Sequence, residues 1–312
     1  MSDVTFEPPL ALDDEALARA AQRRALIRAR SGRSLTRRRV GGRIAVGVCV
    51  LAVAVSLAPL VALVLYTVSR GIEALSVAFF THNPTPAGIP GGGVANAIVG
   101  SVVIVGLATV MAVPAGVVTA LFLLERRGAI AGGVRFTADV LTGIPSIAIG
   151  IFAYTVLVAP LSHFSALAGS FALAVLMLPI VIRASEAAMA AVPVPEREAA
   201  LALGVRRGRV ARSIVLRGAV PGLVTGNLLA VARAVGETAP LLFTTIGTSQ
   251  LFNLNPTQPT AAIPPLIFAD GTSPFPADQT TAWGAALVLL LFVLLLSVVA
   301  RVVAGFVTRP TR

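Results

Sequence analysis

Six stretches of this sequence are almost unbroken in apolar residues: about 44–68, 94–124, 138–161, 166–190, 219–247 and 281–304. Each is long enough to compare with the roughly 20 residues that a helix needs to cross about 30 Å of hydrocarbon. The pattern predicts an all-α membrane protein with six transmembrane helices. The first run is too long for the apolar core of a signal peptide and follows a 43-residue tail, so cleavage is not expected. Between the runs the breakers collect, in "THNPTPAGIPGGG" after the first and "NLNPTQPTAAIPPLIFADGTSPFPADQ" between the fifth and sixth. These read as loops over about 70–93 and 248–280, with room for short interfacial helices such as Gly71 to Phe80.

Composition agrees with the pattern: of 312 residues, 56% are hydrophobic and 12% charged, the balance of an integral membrane protein. All 25 basic residues are arginine and the formal charge is +11. Ten arginines lie in the N-terminal tail (Arg19 to Arg43), three after the second run (Arg126, Arg127, Arg135), six after the fourth (Arg197 to Arg217) and three at the C-terminal end. The intervening loops hold only Arg70, beside Glu73, Asp270 and Asp278. By the positive-inside rule both termini are then cytoplasmic. The expected organisation is a cytoplasmic tail (1–43), a first transmembrane helix (44–69), a core (70–308) with a cytoplasmic loop at about 192–218, and a cytoplasmic C-terminus (309–312). The tail, with its run "DDEALARAAQRRALIRARSGRSLTRRR", reads either as a plain orienting segment or as an amphipathic helix on the membrane surface.

The same composition excludes several classes. A nucleic-acid surface needs basic residues on a water-exposed face, with aromatics or a recognised module, whereas these arginines lie between apolar spans. A P-loop needs a lysine to reach the nucleotide phosphates, and the chain has none, so ATP hydrolysis would have to come from a separate subunit. Cys49 stands alone in an apolar run, which excludes an internal disulfide and suggests a small packing residue. His82 and His163 are single histidines at external ends without metal-ligand spacing. No cofactor, metal or catalytic centre is expected on this chain.

The loop "VPVPEREAALALGVRRGRVARSIVLRGAVPG" is more specific. Pro195 can open a helix, Glu196 and Glu198 favour the positive end of its dipole, and Gly204 can stop it about two turns later. A second helical segment from Arg206 to Arg217 then leads back to the membrane, giving a helical bracket suited to transmitting motion from a partner. Glu198, Ala199, Ala200, Gly204, Ile214 and Leu216 fall at the spacing of the loop shared by inner-membrane permeases of binding-protein-dependent ABC importers, which this chain resembles. The resemblance implies the MetI-like permease fold and a coupling helix that docks on a cytoplasmic ATPase. Position 217 is Arg where proline is usual, and a second "EAA" at Glu186 lacks the glycine, Val192 standing in its place.

Arg183, Arg233 and Glu237 fall inside the runs. An ionised side chain at the bilayer centre costs roughly 2.5–3.5 kcal/mol on insertion scales, so such groups usually face a protein interior and mark a pathway. Arg233 follows Ala219 by 14 residues, about 21 Å along a helix, and Glu237 is one turn further. The two read as a self-neutralising pair or as a guanidinium fork for a passing oxyanion, with Glu237 limiting how tightly it holds. Arg183 reads as snorkelling to the inner headgroups or as a second such fork. In "TGIPSIAIG", Pro145 removes a backbone donor and Gly143 loosens the helix, so a kink is expected in the third run, with Ser146 capping a freed carbonyl or facing the pore.

"RAVGETAPLLF" resembles the signature of the phosphate-specific permeases, the PstA type more than the PstC type, and "GGGVANAIVGS", "TGIPSIAIG" and "LPIVIRASEAAMAAVP" agree over about residues 70–305. The resemblance implies a bacterial inner-membrane importer. Its partners would be a PstC-like permease as heterodimer partner, a PstB-like ATPase dimer carrying ATP and magnesium, and a PstS-like phosphate-binding protein. It places Arg183, Arg233 and Glu237 on the substrate pathway, for which Ser146 and Thr238 are further candidates. The alternatives are a permease for sulfate or molybdate, the PstC-type subunit of the same importer, and an ion-driven carrier or channel needing no ATPase.

Overall fold

The computed structural model describes residues 14–126, 128–245 and 254–307. The start of the tail, Arg127, the end of the fifth run with the first part of the loop after it, and the C-terminus from residue 308 lie outside the described residues. The chain divides into two units, Met1–Leu65 and Tyr66–Arg312. In the first, tail and first apolar run are not separate: α1 (Asp14–Gly71) is a single helix of 58 residues. Arg19 Nη2 donates to Glu15 Oε2 at 2.6 Å along the exposed first turns. Cys49, expected as a packing residue, is exposed on this helix. Its neighbours Val46, Val48, Val50 and Leu51 are exposed too, the surface of a span meant for hydrocarbon.

In the second unit the chain makes a 3₁₀ turn at Ile72–Ala74, then α2 (Val77–Thr81), α3 (Ala95–Glu125), α4 (Ala129–Gly143) and α5 (Ser146–Ala153). A π-helical turn at Tyr154–Val158 leads to α6 (Ala159–Leu161), followed by α7 (Ala166–Ala190), α8 (Val194–Ala202) and α9 (Arg207–Val210). A second π turn at Ala211–Val215 leads to α10 (Leu216–Val235), then α11 (Ala239–Leu242), α12 (Ile263–Gly271) and α13 (Pro276–Val307). The described residues contain no strand. Five stretches are each long and apolar enough to cross a membrane: Val40–Ala74, Ala95–Glu125, Ala166–Ala190, Arg207–Val235 and Pro276–Val303. A sixth candidate is composite, α4 and the α5–α6 segment meeting at 102°, the geometry of a broken span or a re-entrant loop.

The third and fifth runs depart from expectation. The third is not one kinked helix over 138–161: α4 starts at Ala129, and Ile144 and Pro145 are extended between α4 and α5. A residue preceding proline is pushed out of the helical region, so Ile144 leaves the helix as Pro145 withholds its donor. The fifth run does not continue to 247. The π turn at Ala211–Val215 joins the arginine-rich segment to α10 as one helix, and that helix stops at Val235, before Gly236 and Pro240.

The bundle is built around α7. Its residues Leu173, Ala174, Met177 and Val181 form one buried cluster with Ile104, Ala108 and Ala112 of α3 and Ala230 and Ala234 of α10. In hydrocarbon there is no hydrophobic drive between helices, so close backbone approach over small side chains does the work. On α10, Gly222 and Gly226 face Ala188 and Ala184 of α7; a Cβ at either glycine would lie 2.8 or 2.7 Å from the opposite Cβ. Gly116 of α3 is as tight, its would-be Cβ 2.4 Å from Val181 Cγ1. At the start of α3, Ser101 Oγ accepts from Ile263 N at 2.8 Å, and a Cβ on Gly100 would sit 2.0 Å from the Ala261 carbonyl oxygen. This end of α3 is thereby stitched to α12.

Beside it lies a cavity of about 650 Å³ lined by Pro84, Pro86, Phe268, Asp270 and Asp278 among others. Asp278 holds the loop over it, Oδ1 accepting from Gly88 N at 3.0 Å and Oδ2 from Ser273 Oγ at 2.6 Å. Asp270, outside the spanning helices, is half-buried, and burial together with the nearby Asp278 charge pushes its carboxyl up to about 6.

Gly100→Ala should lower the unfolding temperature of the detergent-purified protein, overpacking of this kind costing roughly 1–3 kcal/mol. Gly106→Ala, with nothing within 4 Å of the added carbon, should not lower it. Because the folded state raises the Asp270 pKa above its unfolded value of 3.8, its contribution to stability falls as pH rises from about 4 to about 6. Asp270→Asn should therefore raise the unfolding temperature at pH 7 and leave it nearly unchanged at pH 4, read by thermal scans across that range.

Candidate substrate pathway and coupling surface

The bracket between α7 and α10 follows the capping chemistry of its sequence. Pro195 occupies the first turn of α8 and Glu196 lies near its positive end. At the other end Gly204 has φ +79°, with Val205 N donating to Ala200 O at 3.2 Å and Gly204 N to Leu201 O at 3.0 Å. This pair of bonds is the Schellman closure, which requires a left-handed residue at that position. Arg197 fastens the bracket to α7, its Nη2 donating to the carbonyls of Met189 and, at 3.0 Å, Val192. With Ala200 buried and Arg197 turned inward, α8 presents Val194, Glu198, Ala199 and Leu201 outward, and Leu203 beyond it is 85% exposed. Apolar side chains this exposed, outside the spans, suit a protein partner. Leu216 packs beside the buried cluster of Ala120, Met189, Val192, Val215, Ala219 and Leu223, which roots the bracket in the bundle.

At the far end of α10, Arg233 lies in the last turn. Gly236 N and Glu237 N still bond to the carbonyls of Arg233 and Ala234, at 3.1 and 3.2 Å, before the chain turns away. Glu237 therefore stays near Arg233 without being one helical turn further on. Arg233 Nε and Glu237 Oε1 are 3.6 Å apart, an ion pair too long for a good hydrogen bond. The guanidinium side chain is 69% exposed and the carboxylate 20%. Thr238 precedes α11, its carbonyl accepting from Leu241 N and Leu242 N at 3.1 Å. Behind the break α11 packs on α5, where a Cβ on Gly150 would lie 2.7 Å from Pro240 Cα. Ser146 opens α5 and is partly buried, while Gly143 and Pro145 at the 102° break are exposed.

Arg183 makes its contacts elsewhere, seven residues before the bracket end of α7. Its Nε donates to Asp139 Oδ1 at 3.0 Å, Nη2 donates to the same oxygen, and Nη1 donates to Glu186 Oε2 at 3.0 Å. Glu186 Oε1 accepts from Arg135 Nε at 2.8 Å, and Arg135 Nη2 donates to the Leu123 carbonyl at 2.8 Å. Two arginines and two carboxylates thus join α3, α4 and α7. Sequence reasoning noticed Glu186 only as a failed motif and passed over Asp139. The signal was available as two opposite-charge pairs at helical spacing, Arg135 with Asp139 and Arg183 with Glu186.

A bundle of helices long and apolar enough to cross a membrane, one candidate crossing of which is broken, with an exposed helical bracket at one end, has the form of a membrane transport subunit. The chain belongs to the family of binding-protein-dependent transport system inner membrane components, which it matches over residues 112–312. Curated relatives include the phosphate transport system permease protein PstA of Yersinia pestis, 42% identical over 85% of this chain and 90% of that one. The protein of the same name from Haemophilus influenzae is 40% identical over 85% and 94%. PstA 1 of Mycobacterium tuberculosis is 38% identical over 88% and 91%. Among solved structures, the MetNI methionine ABC transporter in inward-facing conformations superposes with a TM-score of 0.57 and 17% identity, covering 69% of this chain and 96% of that one. The fold is therefore that of an ABC-importer permease, and the family makes the chain a multi-pass inner-membrane component.

Because nothing lies within 4 Å of a Cβ at Gly204, a side chain there strains only the backbone, by roughly 1–2 kcal/mol. Gly204→Ala should loosen the bracket, and Gly204→Asn, which tolerates the left-handed region, should loosen it less. Limited proteolysis at Leu203–Arg206 in membranes measures the order.

Proposed function

We propose that this chain is the permease subunit of an ATP-driven importer of inorganic phosphate, forming half of the translocation pathway. The observation that carries the reading is Arg233: a loosely paired, exposed guanidinium held in the last turn before a helix stop, in a chain whose curated relatives are named phosphate permeases. Arginine suits this task because its charge is permanent and its fork matches tetrahedral oxyanions. Glu237, close but not hydrogen-bonded, tempers the site so that the anion can leave.

The arginine-rich bracket side faces the cytoplasm, with both termini there. A separate ATPase dimer, PstB-like, takes the exposed α8 surface, and its closure on ATP moves α8 with α7 through Arg197. A PstC-like permease completes the pathway. An apolar groove of about 460 Å³ between α3 and α10, lined by Val113, Val117, Val220 and Val224, contains Asn227, whose Oδ1 is buried without a hydrogen-bond partner. A neighbouring permease helix with a donor would answer both deficits. A PstS-like protein delivers phosphate from outside.

Arg233→Ala in the reconstituted complex should reduce ATP-dependent phosphate uptake at least tenfold, a charge-assisted contact being worth about 1.5–3 kcal/mol. Unchanged phosphate uptake with lost sulfate uptake would instead assign the pathway to another oxyanion. Glu198→Arg should abolish co-purification of the ATPase while leaving the permease folded.

A further inference from the structure

The Arg183 network is lopsided. Glu186 is only 19% exposed, and its second oxygen is fixed by Arg135, itself anchored to the α3 backbone. Asp139 is 60% exposed, and the bonds described for its carboxylate go to Arg183 alone. One carboxylate is thus built in, and the other is free to depart. Asp139 also occupies the Nε–Nη2 edge of the guanidinium, the edge that can take an oxyanion through two parallel bonds. It stands where substrate oxygens would stand.

The backbone supports an exchange. Arg183 belongs to α7, the packed centre of the bundle, whereas Asp139 lies on α4, one turn before the 102° break after Gly143. Movement of α4 about that break would carry Asp139 away from Arg183 without disturbing Glu186. Once Asp139 leaves, two arginines face one carboxylate, and the net positive charge favours an incoming anion. With Asp139 in place, two positive and two negative groups balance. With an oxyanion on the Nε–Nη2 edge, Arg183 is again fully paired and Asp139 turns outward.

We propose that Asp139 is an exchangeable ligand of Arg183, which occupies the guanidinium when the pathway is empty and displaces the oxyanion from it on release. This rests on the reading of Arg183 as a pathway residue. Asp139 then acts through Arg183 as a positioning residue, and its carboxylate sets how readily phosphate leaves on the bracket side.

The test uses proteoliposomes holding the complete importer, loaded inside with inorganic phosphate, and reads the internal concentration that halves ATP-driven uptake. Asp139→Asn keeps the shape and removes the competing charge, so that concentration should fall about tenfold, while Asp139→Glu should return it toward the wild-type value. Should Asp139→Asn fail to assemble, Asp139→Ser carries the same expectation. Arg183→Gln should raise the concentration, and in its background Asp139→Asn should have no further effect. If Arg183→Gln shifts it but Asp139→Asn does not, the exchange is wrong and the pathway reading stands. If neither shifts it, Arg183 lies outside the pathway and both fall. A shift by Asp139→Asn that persists without Arg183 overturns the exchange as well.

Discussion

A helix that stops inside a packed bundle leaves backbone groups that need partners, and much of this subunit is arranged around the stop of α10 after Val235. After α10 stops, the hydroxyls of Thr244 and Thr245 bond back to the Pro240 and Leu241 carbonyls at 2.8 and 2.9 Å, and the Thr244 carbonyl accepts from Ser165 N at 3.1 Å. These bonds form because small residues let the strands of chain close on one another: a Cβ on Gly169 would lie 2.4 Å from Thr245 Cγ2. The break thus depends on α7 for its support, as does the bracket at the opposite end.

The arrangement gives the two arginines opposite characters. Each of the three guanidinium nitrogens of Arg183 bonds to a carboxylate, whereas Arg233 has one distant partner and a largely exposed side chain. A guanidinium saturated by protein holds its ground state firmly and yields slowly, while a loosely paired one is ready to receive. Two forks in one subunit can therefore serve capture and release without differing in residue type, because their neighbours differ.

Much of this was legible in sequence. Five apolar runs correspond to helices because spanning length and hydropathy are one-dimensional properties, and the bracket was legible because Pro195, Glu196 and Gly204 act through local capping. What escaped was long-range or cooperative. The third run hid a full break, since Ile144 and Pro145 together leave the helix where either alone would bend it. The fifth run read straight through Gly236, whose effect depends on α5 and α7 accepting the chain beyond it. Asp139 shows in sequence only as a neighbour of Arg135 at helical spacing, because its actual partner is Arg183 on α7, 44 residues away. Arg233 reads as mid-helix from its run, whereas it lies in the last turn of a helix that begins at Arg207.

The helix from Arg207 to Val235 has a mechanical consequence. Its 29 residues make a rod of about 43 Å with the bracket at one end and Arg233 at the other. Pro221 interrupts its hydrogen-bond ladder once, but a helix neither stretches nor shortens appreciably, so displacement of one end would reach the other as translation or as rotation. The π turn at Ala211–Val215 carries one residue more than a regular helix at that point. Passing that surplus residue along the rod would turn everything beyond it about its own axis, swinging the guanidinium around without unwinding a single span. The subunit has, in effect, a crankshaft with its slack built in next to the handle.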